Sequence, residues 1–243
     1  MGRTTVRSFV RRLRRRPDGP DVANPWRDKP LADNLTAYLE LIQEHARETT
    51  AAGRPRLLLV AEALGFKGGG ETGIPLSSPA LLRSCKHPFI ETLRPHLALV
   101  PEGGSEATAT IAWECFARLG LTPLVWNAFP FHPHQIARPR SNRAPRAAEL
   151  REGIDWLRRL DQLVAAHSTP TMVAGVGRKG TLAAQAAFPE REVVALRHPS
   201  YGGKAEFERG LRLLMSRLDT ADPARQKALP KRTARLTCLQ GTV

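Results

Sequence analysis

Residues 56–65 read Arg-Leu-Leu-Leu-Val-Ala-Glu-Ala-Leu-Gly, a continuous apolar run that ends in a carboxylate and a glycine. An apolar run of this length without polar alternation predicts a strand over 56–61 that is covered on both faces, as in a parallel sheet. The next stretch, 62–79, contains five glycines and two prolines, so we expect a long loop there. Because long loops in compact domains usually carry function, Glu62 becomes the first candidate site residue.

The rest of the chain alternates between strand and helix patterns, and it shows no internal repeat. Strands separated by helices predict right-handed βαβ units, and hence a three-layer α/β/α fold around a central, mainly parallel four-stranded sheet. The further strands are expected over 122–129, 171–176 and 193–197, and the helices over 33–49, 105–116, 145–167, 177–188 and, after a loop at 198–203, around 207–218.

Polar residues stand at the carboxyl ends of three of these strands. Glu62 follows the first, Asn127 lies at the exit of the second, and His198 follows the fourth. Ligands of open α/β sheets bind in the crevice beyond the carboxyl ends of the strands. We therefore expect these three side chains to meet around one cleft.

The formal net charge of the chain is +14, and it is concentrated near the two ends. Residues 1–28 carry eight arginines against three aspartates, and 224–243 carry five basic residues and no acid. This pattern favours a polyanionic partner that is held without sequence reading. It divides the chain into a flexible basic arm at 1–28, a single α/β domain at 29–220 and a basic tail at 221–243.

Other classes of protein fit the sequence poorly. The longest apolar runs fall well short of the roughly 20 residues that span a bilayer, so we expect a soluble, cytoplasmic monomer that does not contact membranes. Neither a disulfide framework nor a zinc or iron–sulfur site matches the spacing of Cys85, Cys115 and Cys238. His132 and His134 lack the further ligands of a metal shell. We expect no metal and no cofactor.

Four short motifs together resemble those of the uracil-DNA glycosylase superfamily over about residues 30–218. In style they are closest to the bacterial members whose first motif reads Gly-Glu-Ala-Pro-Gly. Each motif is weak by itself, but their order and their places after successive strands make the combination fairly specific. They are Ala61-Glu62-Ala63-Leu64-Gly65, Thr72-Gly73-Ile74-Pro75-Leu76, Trp126-Asn127-Ala128-Phe129-Pro130 and Arg197-His198-Pro199-Ser200.

The resemblance implies a DNA glycosylase and assigns roles that suit the chemistry of each side chain. Glu62 would orient and deprotonate the attacking water. Asn127 offers an acceptor and two donors, which match the carbonyl and N–H on the pairing edge of uracil. His198 would donate to the base oxygen that gains charge as the glycosidic bond breaks. Without the resemblance, a capped loop carboxylate, a turn asparagine and a surface histidine are the ordinary interpretations.

Further residues are expected to contact the base or the DNA. Aromatic rings for stacking on the base are expected from Phe66 and Phe129, because Leu76 stands where many relatives have an aromatic residue. This change also leaves the choice among deaminated bases open. Ser200 is placed to hold a phosphate, and Tyr201 to enter the duplex in place of the extruded base. Other phosphate contacts are expected from three basic residues: Arg143, Arg178 and Lys179.

Two other features depart from patterns that they resemble. The segment 175–180, Gly-Val-Gly-Arg-Lys-Gly, is similar to a dinucleotide fingerprint, but it follows the third strand and lacks the downstream acidic residue, so we interpret it as a packing turn. In the first motif, Ala61 and Leu64 stand where relatives have Gly and Pro. Several relatives also hold an iron–sulfur cluster with four cysteines, which this sequence does not provide.

The sequence thus predicts a monofunctional, metal-independent glycosylase of base-excision repair that releases uracil or another deaminated base. Two alternatives stay open at this point. A non-catalytic DNA- or RNA-binding protein with the same fold would tolerate loss of Glu62, Asn127 and His198. An α/β enzyme of free nucleosides or nucleotides would act without a polymer.

Overall fold

The computed structural model describes residues 5–51, 55–164 and 171–220. Within these ranges, the strands are β1 (Val22–Ala23), β2 (Arg56–Ala63), β3 (Leu124–Phe129), β4 (His132–Pro133), β5 (Thr171–Val176) and β6 (Val193–Leu196). The helices are α1 (Val6–Arg14), α2 (Lys29–Ala51), α3 (Pro79–Ser84), α4 (Pro88–Leu93), α5 (Ala107–Leu119), α6 (Ala147–Val164), α7 (Gly177–Ala187) and α8 (Lys204–Thr220).

The central sheet has the strand order β3-β2-β5-β6, and every neighbouring pair is parallel. Helices flank this sheet, with α6 and α7 packed against β3, β2 and β5 and α8 against β6. Ala61 of β2 pairs with Asn127 of β3, so the two strands that carry the first and third motifs are in direct register. The predicted α/β class and four-stranded parallel sheet are confirmed.

Residues 5–28 do not form the flexible arm that the sequence led us to expect. Thr5 caps α1, whose apolar side chains are buried, and β1 pairs with β4 in a small antiparallel sheet. The helix has one apolar face, because its buried residues recur at helical spacing, while the arginines point outward. The buried residues are Val6, Phe9, Val10 and Leu13.

The core contact of this segment is aromatic. Trp26 is fully buried and stacks on Trp126 of β3 with ring centroids 5.8 Å apart, and Phe9 lies against the same ring at 5.7 Å. Residues 5–28 are therefore part of the domain rather than an appendage to it. The predicted basic tail at 221–243 and Cys238 lie outside the described residues.

No helix in the described part of the chain is long and apolar enough to cross a membrane.

Candidate active site

A cleft of about 630 Å³ opens at the carboxyl ends of β2, β3 and β6. Glu62, Asn127 and His198 all line it, as the positions of their strands predict. The remaining wall comes from the first motif, from the end of the second and from the loop before α6. Its other polar side chains are Ser77, Glu106, Thr108, Asn142, Arg143, Ser200 and Tyr201.

Asn127 is held at the bottom of this wall by its place inside β3. Its side chain is only 2% exposed, and its Nδ2 atom has no hydrogen-bond partner among the described residues. A buried polar atom without a partner costs about 1–3 kcal/mol of stability, so such atoms are rare in folded proteins. The amide is therefore poised to donate to a ligand that enters the cleft.

His198 lies in the turn after β6, where its ring is partly buried. The backbone N–H of Ser200 donates to its Nδ1 atom over 3.3 Å. Burial lowers the pKa of His198 below its usual 6.5, although the negative charges of Glu62 and Glu106 oppose the shift. The ring is thus neutral near pH 7, with Nδ1 accepting and the proton on Nε2, which is left to donate into the cleft.

Glu62 is the second-last residue of β2 and does not belong to the loop that follows the strand. Its carboxylate is 39% exposed, and one oxygen, Oε1, lies 3.5 Å from the ammonium nitrogen of Lys179. The carboxylate therefore faces solvent in the cleft and carries one cationic neighbour. This arrangement suits a group that must hold a water molecule.

The second motif is fastened to the N-terminal part of the chain. The indole N–H of Trp26 donates to the carbonyl of Gly73 over 2.8 Å, and the amide of Asn34 donates to the carbonyl of Thr72 over 2.9 Å. Gly73 has a φ of +75°, and a Cβ there would collide with the carbonyl of Leu31, so glycine is required. These contacts fix a loop that would otherwise be free to move.

Leu76 ends this motif at the wall of the cleft, with a φ of +51° that non-glycine residues rarely adopt. The indole N–H of Trp113 donates to its carbonyl over 2.8 Å and holds this backbone in place. An aliphatic side chain therefore occupies the position where the resemblance led us to look for an aromatic one.

The two phenylalanines expected to stack on the base do not line the cleft. Phe129 is fully buried and packs on Phe131 with ring centroids 5.4 Å apart. Phe66 is half-buried and leans on the ring of His132, 6.0 Å away, with the guanidinium of Arg140 over its face. Both rings thus have packing contacts, because β3 is buried along its whole length and Phe66, at the start of the turn 66–70, lies against His132 and Arg140.

The basic residues expected on DNA fall into three situations. The guanidinium of Arg143 donates to both oxygens of Glu149, at 2.8 and 2.6 Å, and contacts Asp21, so it is not free for a phosphate. Lys179 contacts Glu62 instead of standing out from the surface. Arg178 is exposed and remains available.

Ser200 and Tyr201 stand at the mouth of the cleft, which both of them line. The hydroxyl of Ser200 lies 2.8 Å from that of Thr108 at the start of α5, which ties the His198 turn to that helix. Tyr201 is 94% exposed and has a φ of +55°. A non-glycine residue in this left-handed region is strained, and strained residues of this kind cluster at active sites and ligand-binding segments.

Sequence reasoning missed four polar residues that line the cleft: Ser77, Glu106, Thr108 and Asn142. Glu106 caps α5 by accepting from the backbone N–H groups of Thr108 and Ala109, each over 3.0 Å, and it adds a second carboxylate to the cleft. Asn142 accepts from the backbone N–H of Phe66 over 2.8 Å and so joins the loop between β4 and α6 to the turn that directly follows the first motif. An acidic residue just before a helical pattern signals a cap, but no pattern in the sequence signals the Asn142 contact.

His132 and His134 are engaged by the backbone. His132 lies within hydrogen-bond distance of the carbonyls of Leu64 and Pro139, at 2.9 and 3.2 Å, and His134 of the carbonyl of Gln135, at 3.0 Å. Among the described residues, no group of three or more His, Cys, Asp or Glu side chains is arranged to hold a metal ion. Both histidines thus brace the loop between β3 and α6.

Comparisons with known proteins agree with this architecture. A sequence comparison with curated proteins finds no match. Among solved structures, wild-type SMUG2 of Pedobacter heparinus is similar in fold, with a TM-score of 0.56 and 14% identity over 88% of this chain and 98% of that one. The family model of the uracil DNA glycosylase superfamily matches residues 48–216, which contain all four motifs and most of the domain. The chain therefore belongs to the uracil-DNA glycosylase superfamily.

Proposed function

We propose that this protein is a monofunctional DNA glycosylase that hydrolyses the N-glycosidic bond of uracil, or of another deaminated base, in base-excision repair. The observation that carries the proposal is the buried Nδ2 of Asn127, which has no partner among the described residues and belongs to a residue that lines the cleft. A donor left unsatisfied in this way favours a ligand that presents a hydrogen-bond acceptor. Membership of the uracil-DNA glycosylase superfamily favours a nucleobase as that ligand.

Base reading is assigned to the Asn127 amide. Its Nδ2 would donate to a carbonyl oxygen of the base, and its Oδ1 would accept from the adjacent ring N–H. Cytosine presents a ring nitrogen without a proton beside its carbonyl, so it would leave the Oδ1 atom facing a lone pair. This difference would discriminate uracil from cytosine. The same amide also suits the lactam edge of a deaminated purine.

Bond cleavage is assigned to Glu62 and His198. The glycosidic bond breaks through an oxocarbenium-like sugar while negative charge gathers on the departing base. Glu62 would hold and deprotonate the attacking water, and its charge would favour the cationic sugar. The Nε2–H of the neutral His198 ring would strengthen its hydrogen bond to the base oxygen as charge develops there.

The mouth of the cleft is assigned to DNA. Tyr201 would enter the base stack and occupy the space of the extruded nucleotide. The exposed guanidinium of Arg178 and the Ser200 turn would contact phosphates without reading sequence. The buried Asn127 and the exposed Tyr201 would mark the inner and outer limits of the path that a flipped nucleotide follows.

Oligonucleotides that carry a single uracil, hypoxanthine or xanthine test the proposal. After incubation with the protein, alkali should break the strand at the position of the deaminated base, and omission of alkali should leave the strand intact. A matched oligonucleotide with an unmodified base serves as the control. Binding to all of these substrates without any alkali-labile product would contradict the proposal and favour a non-catalytic DNA-binding protein.

A further inference from the structure

Lys179 is anchored beside Glu62 from the first turn of α7. Its ammonium nitrogen donates to the carbonyl of Pro145 over 3.1 Å and lies 3.5 Å from Oε1 of Glu62. The side chain is 31% exposed, so it is neither buried nor extended into solvent. The carbonyl anchor holds the charge at one place, next to the carboxylate.

The glycine-rich segment 175–180 explains how the lysine reaches this position. Gly177 starts α7 with a φ of +67°, and a Cβ at Gly180 would collide with the carbonyl of Val60 in β2. Glycine at these points lets the first turn of α7 pack directly against β2. The contact is at Val60, two residues before Glu62 in the same strand. The segment 175–180, which the sequence predicts to be a packing turn, thus also positions Lys179.

We propose that Lys179 is a positioning residue that fixes the rotamer of Glu62. This inference rests on the catalytic role proposed for Glu62. An ion pair to Oε1 restricts rotation about the side-chain bonds of the glutamate and leaves Oε2 as the oxygen that faces a bound water. Catalysis is sensitive to such placement, because displacement of a reacting group by about 1 Å can cost on the order of 100-fold in rate.

A phosphate-binding role for Lys179 fits the contacts less well. Its neighbour Arg178 is exposed and makes no hydrogen bond or ion pair within the described part of the chain, as a phosphate ligand would before DNA arrives. Lys179, in contrast, already has two partners inside the protein. Adjacent residues of the same helix turn therefore have different roles, one toward DNA and one toward Glu62.

Single-turnover kinetics on a uracil-containing oligonucleotide separate these roles. We expect Lys179→Met to lower the maximal rate at saturating enzyme by about tenfold, with little change in the half-saturating enzyme concentration. Lys179→Arg should restore most of the rate, because a guanidinium can reach both partners. Arg178→Met should instead raise the half-saturating concentration and reduce the salt dependence of binding by about one phosphate contact. Lys86→Met, at a distant exposed lysine, is the matched control and should match the wild type.

A double-mutant cycle tests whether Lys179 acts through Glu62. In the Glu62→Gln background, Lys179→Met should slow the reaction no further, since there is no carboxylate left to position. Multiplicative losses, or a Lys179→Met variant whose maximal rate equals that of the wild type at an unchanged melting temperature, would overturn the proposal. If the wild-type protein releases no base at all, the proposed function fails instead, so the two failures are distinguishable.

Discussion

The backbone N–H of Ser200 donates to Nδ1 of His198 over 3.3 Å, and this bond fixes which ring nitrogen of the histidine carries the proton. A nitrogen that accepts cannot be protonated, so the neutral ring must present Nε2–H to the cleft. The catalytic role proposed for His198 depends on this tautomer.

We expect His198 to titrate below pH 6.5, because burial lowers its pKa more than the charges of Glu62 and Glu106 raise it. The stability linked to this group is complete above 6.5 and falls as the pH drops through its lowered pKa, since the unfolded chain then binds the proton more readily. Nitrogen-15 NMR of the labelled imidazole should show the Nε2–H tautomer at pH 7. An imidazolium at pH 7, or a proton on Nδ1, would contradict this arrangement.

Glu62→Gln should slow base release by about 100-fold or more while it leaves DNA affinity nearly intact. The amide keeps the size of the side chain but cannot accept a proton from water. Single-turnover cleavage and fluorescence-anisotropy binding on the same oligonucleotide measure the two effects. Equal cleavage rates for wild type and variant would remove Glu62 from the mechanism.

Tyr201→Gly should leave the free energy of unfolding unchanged to within about 1 kcal/mol. Relief of the left-handed backbone at φ +55° and the greater freedom of glycine in the unfolded chain oppose each other. Cleavage of duplex DNA should nevertheless fall by about tenfold, with a smaller loss on single strands, because the ring that fills the base stack is gone. An equal loss on the two substrates would argue against a wedge.

Arg143→Met should destabilise the fold by about 3 kcal/mol, because Glu149 and Asp21 would keep buried charges without their shared partner. Arg146→Met, at a 63% exposed arginine that also contacts Asp21, is the control and should cost at most about 1 kcal/mol. Urea unfolding at pH 7 measures both.

The pH dependence of the unfolding free energy gives a second check on the contact between Arg143 and Asp21. Burial opposes ionisation of Asp21, but the hydrogen bond of Arg146 and the charge of Arg143 overcome it and lower the pKa of that carboxyl below 3.8. The stability due to the ionised carboxylate is therefore present above 3.8 and is lost as the pH falls through the lowered pKa. The difference in unfolding free energy between wild type and Arg143→Met should therefore become smaller as the pH falls below 3.8. Equal losses for the two arginine variants at pH 7 would show that Arg143 has no special place in the cluster.

The sequence predicted the elements that are governed by local pattern. Strand β5 has the predicted bounds, 171–176, and α5 extends three residues past its predicted end at 116, to Leu119. Helix α2 begins at Lys29, four residues before the predicted range 33–49, and Asp33 lies inside the helix, where it pairs with Lys29 at 2.5 Å. The many arginines of residues 1–28 led to the prediction of a flexible arm, although the apolar residues of α1 recur at helical spacing.

The gathering of Glu62, Asn127 and His198 could be predicted, because the carboxyl ends of parallel strands meet at one edge of a sheet. The direction of a side chain in a fully buried strand could not, since an unbroken apolar run does not distinguish its two faces. Phe129, which the resemblance offers as a stacking ring in place of Leu76, lies in the core instead. The contacts of Lys179 with Pro145 and Glu62 join residues that are far apart in the chain, so no local sequence pattern predicts them.

If the unsatisfied amide of Asn127 reads an extruded base, Asn127→Asp should lose the ability to release free uracil. An aspartate of nearly the same shape places an acceptor where the base needs a donor, so we predict a loss of at least about 100-fold in single-turnover uracil release with the fold intact. Uracil release by this variant at the wild-type rate would contradict the account.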